Sequence, residues 1–275
     1  MRYFIDTLSY LFVKGKGKRF LAFFSFALVP SVILAYGLRT DLVLKNLFDN
    51  PTYSNWPELF FAYFPSKRSF STIFVALIVF VLSTACISGA VIRHFRVGDF
   101  SPKQLGKSFN DYALPAFLYT AMNLMIYCVA YLLYSFFAYM WYTLSSPKAY
   151  VALSILSLIA ISCAVLYIVS SITTWLPSMC IKGVYSPNSL STAFYQSRGK
   201  QKLFLPGHFF VIFILMITGL ISYFVSKVWY VSWIINAVGF AFSYTFSIIF
   251  IITAYFGESG LPREDVKVNP YKRRY

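Results

Sequence analysis

Residues 69–92 read SFSTIFVALIVFVLSTACISGAVI, with no charge anywhere, and are followed at once by Arg93-His94-Phe95-Arg96. A bilayer core about 30 Å thick needs roughly 20 apolar residues to be crossed as a helix. The run is long enough, and it does not alternate over about 10 residues as a membrane barrel strand would. It reads as one helix through a membrane, with a basic cluster holding its end at the headgroups.

Five further runs repeat the pattern: Phe20 to Leu38, Tyr112 to about Met140, Tyr150 to Pro177, Leu203 to Ser226 (interrupted by His208 alone) and Val228 to Phe256. Hydrophobic residues make up 59% of the 275-residue chain and charged residues 12%, about half the share of a soluble chain. Such a chain cannot cover itself with polar surface in water. The expected fold class is all-α, a polytopic integral membrane protein with six transmembrane helices and short interfacial amphipathic helices. Three regions follow: an N-terminal interfacial segment over 1–19, a transmembrane domain over 20–256 with an external segment at 39–68, and a basic tail over 257–275 expected to be mobile. Tyr112 to Pro147 and Ala149 to Ile181 exceed one crossing, which predicts tilt or protrusion. Tyr139, Trp141 and Tyr142 fall where amphipathic rings meet headgroups.

The first run ends near Ala35-Tyr36-Gly37, a loose imitation of a leader-cleavage site, but it is too long for a leader and is read as a retained span. The N-terminal stretch Tyr3 to Val13 places Phe4, Ile5, Leu8, Leu11 and Phe12 on one side and predicts an interfacial helix.

Basic residues in short loops stay cytoplasmic. Counted on alternate sides of six helices, 18 of the 24 Lys and Arg fall with the two termini, leaving Arg39, Lys45, Lys67, Arg68, Lys148 and Lys227 opposite. Both termini are therefore expected in the cytoplasm. A net charge of +15 is also the footprint of a nucleic-acid binder. Here the charge is divided among juxtamembrane segments, so no nucleic acid is expected, and the partners implied are membrane lipids with anionic headgroups. Arg93, Arg96, Arg198, Lys200, Lys202 and His208 are the candidate headgroup-binding residues.

The most specific internal signal is a repeat. Residues 98–109, GDFSPKQLGKSF, return at 183–194 as GVYSPNSLSTAF, sharing Gly-x-aromatic-Ser-Pro-x-x-Leu-x-x-x-Phe. Each copy then enters a membrane run through Leu114-Pro115-Ala116 or Leu205-Pro206-Gly207. Glycine suits the end of one helix, serine caps the next, and proline fits its first position, where no N–H is needed. Leucine and phenylalanine four apart share a face. The reading is a short interfacial helix in each copy, and a parallel repeat relating units at about 69–140 and 150–226.

The second copy also carries a resemblance. Pro177, Lys182-Gly183, Ala193-Phe194, Ser197 and Gly199-Lys200, followed by an apolar helix, resemble a group of bacterial six-helix membrane families. These include the membrane domain found ahead of some glycerophosphodiester phosphodiesterases and its stand-alone relatives. The likeness spans about residues 69–256 in architecture and some twenty residues in motif. It implies a bacterial cytoplasmic-membrane protein linked to envelope lipids, and it carries no catalysis, since the phosphodiesterase chemistry of that family resides in a soluble barrel domain.

Chemistry is sparse. His94 and His208 are too far apart in sequence to suggest a metal site; His94, between two arginines, reads as solvated. The nine acids all lie outside or at the ends of the apolar runs, so no carboxylate pair or proton relay is drawn. Cys86, Cys128, Cys163 and Cys180 read as buried small apolar residues. No cofactor, metal or catalytic residue is assigned, and the protein is expected not to be an enzyme. Polar residues within the spans, Ser83, Thr84, Asn123, Ser170, Ser171, Thr173, Thr174, Asn236 and Ser243, read as helix-packing groups, or alternatively as the lining of a cavity. The external segment carries an aromatic patch with Trp56, Phe60, Phe61 and Phe64, a candidate surface for docking a protein partner. The expected function is a non-enzymatic accessory or scaffold subunit of an envelope assembly in the bacterial inner membrane. The alternative is a lipid or small-molecule transporter with a pathway between the two repeat units.

Overall fold

The computed structural model describes residues 2–12, 17–37, 70–98, 100, 109–183 and 188–265. Among them lie helices α1 (Arg2–Phe12), α2 (Gly17–Gly37), α3 (Phe70–Val97), α4 (Phe109–Leu144), α5 (Pro147–Ser171), α6 (Trp175–Lys182), α7 (Ser189–Ser197), α8 (Gln201–Phe224) and α9 (Trp229–Ser259). No strand occurs among the described residues. Six units are long and apolar enough to cross a membrane, α5 and α6 together forming one of them. The protein is an all-α, multi-pass membrane protein.

Helix α9 is the axis. Of its most apolar stretch 78% is buried inside the protein, against 11% for α4 and 11% for the α5–α6 rod. Its sequence alternates small residues, Ala237, Gly239, Ala241 and Ser243, with large rings, Phe240, Phe246 and Phe250, and all of these are buried. Lipid tails are as apolar as leucine, so such helices associate through close packing and interhelical hydrogen bonds rather than escape from water. The pairings give the helix directions. Phe80 and Phe95 of α3 meet Tyr244 and Phe256, so α3 runs parallel to α9. Trp233 donates to the Val32 carbonyl while Phe242 meets Phe20, so α2 runs antiparallel. Lys200 and Gly207 meet Glu258 and Phe250, so α8 does too.

The polar span residues bond across or along helices. Ser83 donates to the Phe26 carbonyl at 2.9 Å, Thr84 pairs with Tyr244, and Asn236 donates to Ser222 at 2.8 Å. Asn123 donates to Tyr119 of its own helix, Ser171 to Tyr167, and Thr174 to Ala193. Ser170 and Ser243 are likewise buried.

Helix α4 outlasts its neighbours. Its 36 residues, at about 1.5 Å each, reach about 54 Å, more than the roughly 40–45 Å of a bilayer with its headgroups. Near its far end, among the described residues, α4 and α5 pack on each other: Tyr134, Ala138 and Tyr150 are buried against Trp141, Leu158 and Ile161. Trp141 Nε1 donates to Ser157 Oγ at 2.7 Å, and Tyr142 meets Tyr150 edge-on. The third and fourth runs are thus a stitched hairpin. Its inner leg breaks at Ile172 to Thr174, where α5 gives way to α6.

Several expectations need correction. Helix α1 forms where an interfacial helix is expected, and it buries Tyr3, Thr7, Tyr10 and Leu11 while Ile5 and Phe12 stay exposed. Phenolic hydroxyls turn inward because acceptors wait there, whereas an aliphatic side chain loses nothing by facing lipid. Residues 260–265, expected within a mobile tail, are pinned: the Glu264 N–H donates to the Phe95 carbonyl at 2.8 Å, and Arg263 lies 4.0 Å over the Phe95 ring. His94, read as solvated, is buried against Tyr10. Of the four cysteines only Cys86 is fully buried, and Cys163 is exposed on α5.

The repeat landmarks adopt like conformations. Gly98 and Gly183 have φ of 81° and 90°, and each donates its N–H to the carbonyl four residues back, His94 or Met179. Only glycine takes that backbone without strain. Pro115 and Pro206 both sit in the second turn of a spanning helix. The Ser-Pro elements at 101–102 and 186–187, and the first copy's short helix, lie outside the described residues. In the second copy the helix begins at Ser189, with Asn188 as its cap.

Candidate functional site

The candidate headgroup residues separate into three groups. Arg93 and Arg96 stand exposed on the last turns of α3, and Arg198, Lys200 and Lys202 stand exposed where α7 turns into α8. His208 does not join them. It is buried within the helices, 2.8 Å from Thr173 Oγ1 and edge-on to Phe250. The docking residues Trp56, Phe60, Phe61 and Phe64 lie outside the described residues.

At the basic end of the bundle Lys200, Arg19 and Arg263 are engaged. Lys200 pairs with one oxygen of Glu258, whose other oxygen accepts a 2.7 Å bond from the Tyr3 hydroxyl. Burial, reinforced by that carboxylate, pushes the Tyr3 phenol up to about 12. The Arg19 guanidinium lies 5.0 Å over the Tyr10 ring, and Tyr10 shares a 3.0 Å hydrogen bond with His94 Nδ1. Burial raises the Tyr10 phenol above its ordinary range. Arg263 is bidentate to Asp265 at 3.1 and 2.9 Å. These contacts clasp α1 and the C-terminal turn onto α3, α8 and α9.

Arg198 has no carboxylate beside it among the described residues. It sits at a groove of about 400 Å³ lined by Tyr167 and Ser171 of α5, Ser191, Phe194 and Tyr195 of α7, and Gln201 of α8. The groove exists because α7 packs in an unexpected sense. Its buried face is Ser189, Ala193 and Ser197, one residue per turn and all small, so its backbone approaches α6 closely. Ala193 packs on Ile172, Trp175 and Met179, and its carbonyl accepts from Thr174 at 3.4 Å. With the small face spent on packing, Phe194 and Tyr195 turn outward, Tyr195 to 80% exposure. Leu190, expected to share one face with Phe194, is partly buried while Phe194 is exposed.

Arginine, hydroxyl and amide groups between aromatic walls present hydrogen-bond donors of the kind that an anion accepts from. Sequence reasoning found Arg198 through its basic cluster. It took Ser171 only as a packing or cavity-lining residue and missed Tyr167, Ser191, Tyr195 and Gln201, because a tyrosine within an apolar run and a serine in a short helix carry no pattern of their own. The Tyr3, Glu258 and Tyr10, His94 contacts were missed for the same reason, since their partners lie 255 and 84 residues apart.

Comparison with known proteins adds no assignment: no family model, curated protein or solved structure matches this chain.

Proposed function

We propose that the protein is a non-enzymatic accessory or scaffold subunit of an envelope assembly in the bacterial cytoplasmic membrane, with its basic end and both termini in the cytoplasm. The α4–α5 hairpin carries this reading. It is longer than a bilayer is thick, it is stitched by its own contacts, and it offers Phe136, Tyr139, Tyr142 and Leu144 as exposed side chains near its tip. The bias of Lys and Arg supports an outward-facing tip. A hairpin fixed in shape before a partner arrives loses little conformational entropy on docking.

A transporter with a path between the repeat units is the second reading. The shared glycine and proline conformations support the duplication it needs. The polar side chains that would line such a path are instead bonded or buried between packed helices, which supports the scaffold.

In-cell photo-crosslinking separates the two. A photoreactive residue at Tyr139 or Leu144 should trap a second polypeptide, while one at Phe213, exposed midway along α8, should not. Identical labelling at all three positions would remove the scaffold reading.

A further inference from the structure

We propose that the groove between α5, α7 and the start of α8 is a binding site for one anionic phospholipid, its phosphodiester held by Arg198 and its chains laid along the outer face of α5. The inference rests on the membrane placement above, with the basic end in the cytoplasmic leaflet.

Charge complementarity points to the occupant. The groove's one charged side chain is Arg198, and no acid is among the residues that line it. Lys200, two residues along the chain, already faces Glu258, whereas among the described residues Arg198 has no carboxylate partner and is left to an external anion. A guanidinium can bind two oxygens of a phosphodiester in a fork. Ser191 and Gln201 stand beside it with hydroxyl and amide donors. The Ser171 hydroxyl, whose proton goes to the Tyr167 carbonyl at 2.9 Å, offers only its lone pairs.

Geometry points to a lipid rather than a soluble phosphate. The far wall is Tyr167, exposed next to Ile168 on the lipid-facing side of α5, so the groove is continuous with hydrocarbon. Phe194 and Tyr195 point away from the protein on the same side, as aromatic rings do at headgroup depth. An acyl chain can leave this groove without crossing polar surface.

The test uses the full chain in mild detergent, exchanged against phosphatidylglycerol, phosphatidylcholine or inorganic phosphate and read by native mass spectrometry. Phosphatidylglycerol should be retained about fivefold better than phosphatidylcholine, the factor that one interfacial basic residue supplies. Arg198→Ala should abolish the preference, Arg198→Lys should keep part of it, and Lys18→Ala, an exposed cation at the start of α2 and outside the groove, should leave it unchanged. Ser191→Phe fills the groove without altering charge and should reduce retention of both lipids. The three altered side chains, Arg198, Lys18 and Ser191, are exposed, so folding is not at stake. Equal retention of the two lipids, equal effects of Arg198→Ala and Lys18→Ala, or displacement by inorganic phosphate would each overturn the proposal. The crosslinking result at the hairpin tip is independent of all three, so failure of the scaffold reading and failure of the lipid site are told apart.

Discussion

Replacing Thr173 by valine tests how this bundle is held together. Thr173 lies in the break between α5 and α6, and its hydroxyl meets the Val169 carbonyl at 3.0 Å and His208 Nε2 at 2.8 Å. A hydroxyl has one proton. With that proton directed to Val169, the imidazole Nε2–H must donate to the Thr173 oxygen, which assigns the Nε2-protonated tautomer. Valine keeps the volume and opens no cavity. The Val169 carbonyl still accepts from the Ile172 N–H at 3.2 Å, so the loss falls on His208, left as a buried donor without an acceptor. Such a group costs about 1–3 kcal/mol in a soluble protein, and hydrogen bonds between membrane helices average about 0.6 and reach about 1.7 kcal/mol. The expected destabilisation is therefore about 1–2 kcal/mol, measured by unfolding in mixed micelles with tryptophan fluorescence. Thr173→Ser keeps the oxygen and should restore most of it. His208→Phe removes the donor, so the double variant should be less destabilised than the two singles summed, by about 1 kcal/mol. Wild-type stability of Thr173→Val, or singles that add within about 0.5 kcal/mol, would refute the claim that this bond ties α8 to the break.

Two further outcomes follow from contacts on α9. A Cβ at Gly207 would lie 2.3 Å from the buried Phe250 ring, so Gly207→Ala should cost about 1–3 kcal/mol by overpacking, and Phe250→Leu should relieve it in the double variant. Because burial raises the Tyr3 phenol to about 12 from its ordinary 10, the folded state favours the neutral form. Its contribution to holding α1 is thus complete below about pH 10 and lost as pH rises toward 12. An ultraviolet titration of wild type against Tyr3→Phe should show the missing group titrating near 12, and a difference centred near 10 would contradict the burial of α1.

Spanning helices were legible because their signal is local and additive. Twenty apolar residues need no partner to declare a crossing, and the runs at 69–92 and 228–256 became α3 and α9 with ends shifted by a few residues. Faces were not legible. Hydrophobicity grouped Ile5 and Phe12 on one side of α1 without telling which side chains the bundle would bury, because in a bilayer the apolar side chain is content outside and the polar one needs a buried partner. The same holds for α7, where Ser189, Ala193 and Ser197 face in and Tyr195 faces out.

From the order of residues alone came the solvent, the number of crossings and the end of the bundle that carries the charge. All three depend on composition within windows of one helix. Tertiary structure alone decided that α9 is the axis, that Tyr3 reaches Glu258, and that Arg198 stands without an acid while Lys200 has one. Those outcomes depend on pairings between helices far apart in the chain, and in lipid no difference in greasiness tells one helix face which neighbour to choose.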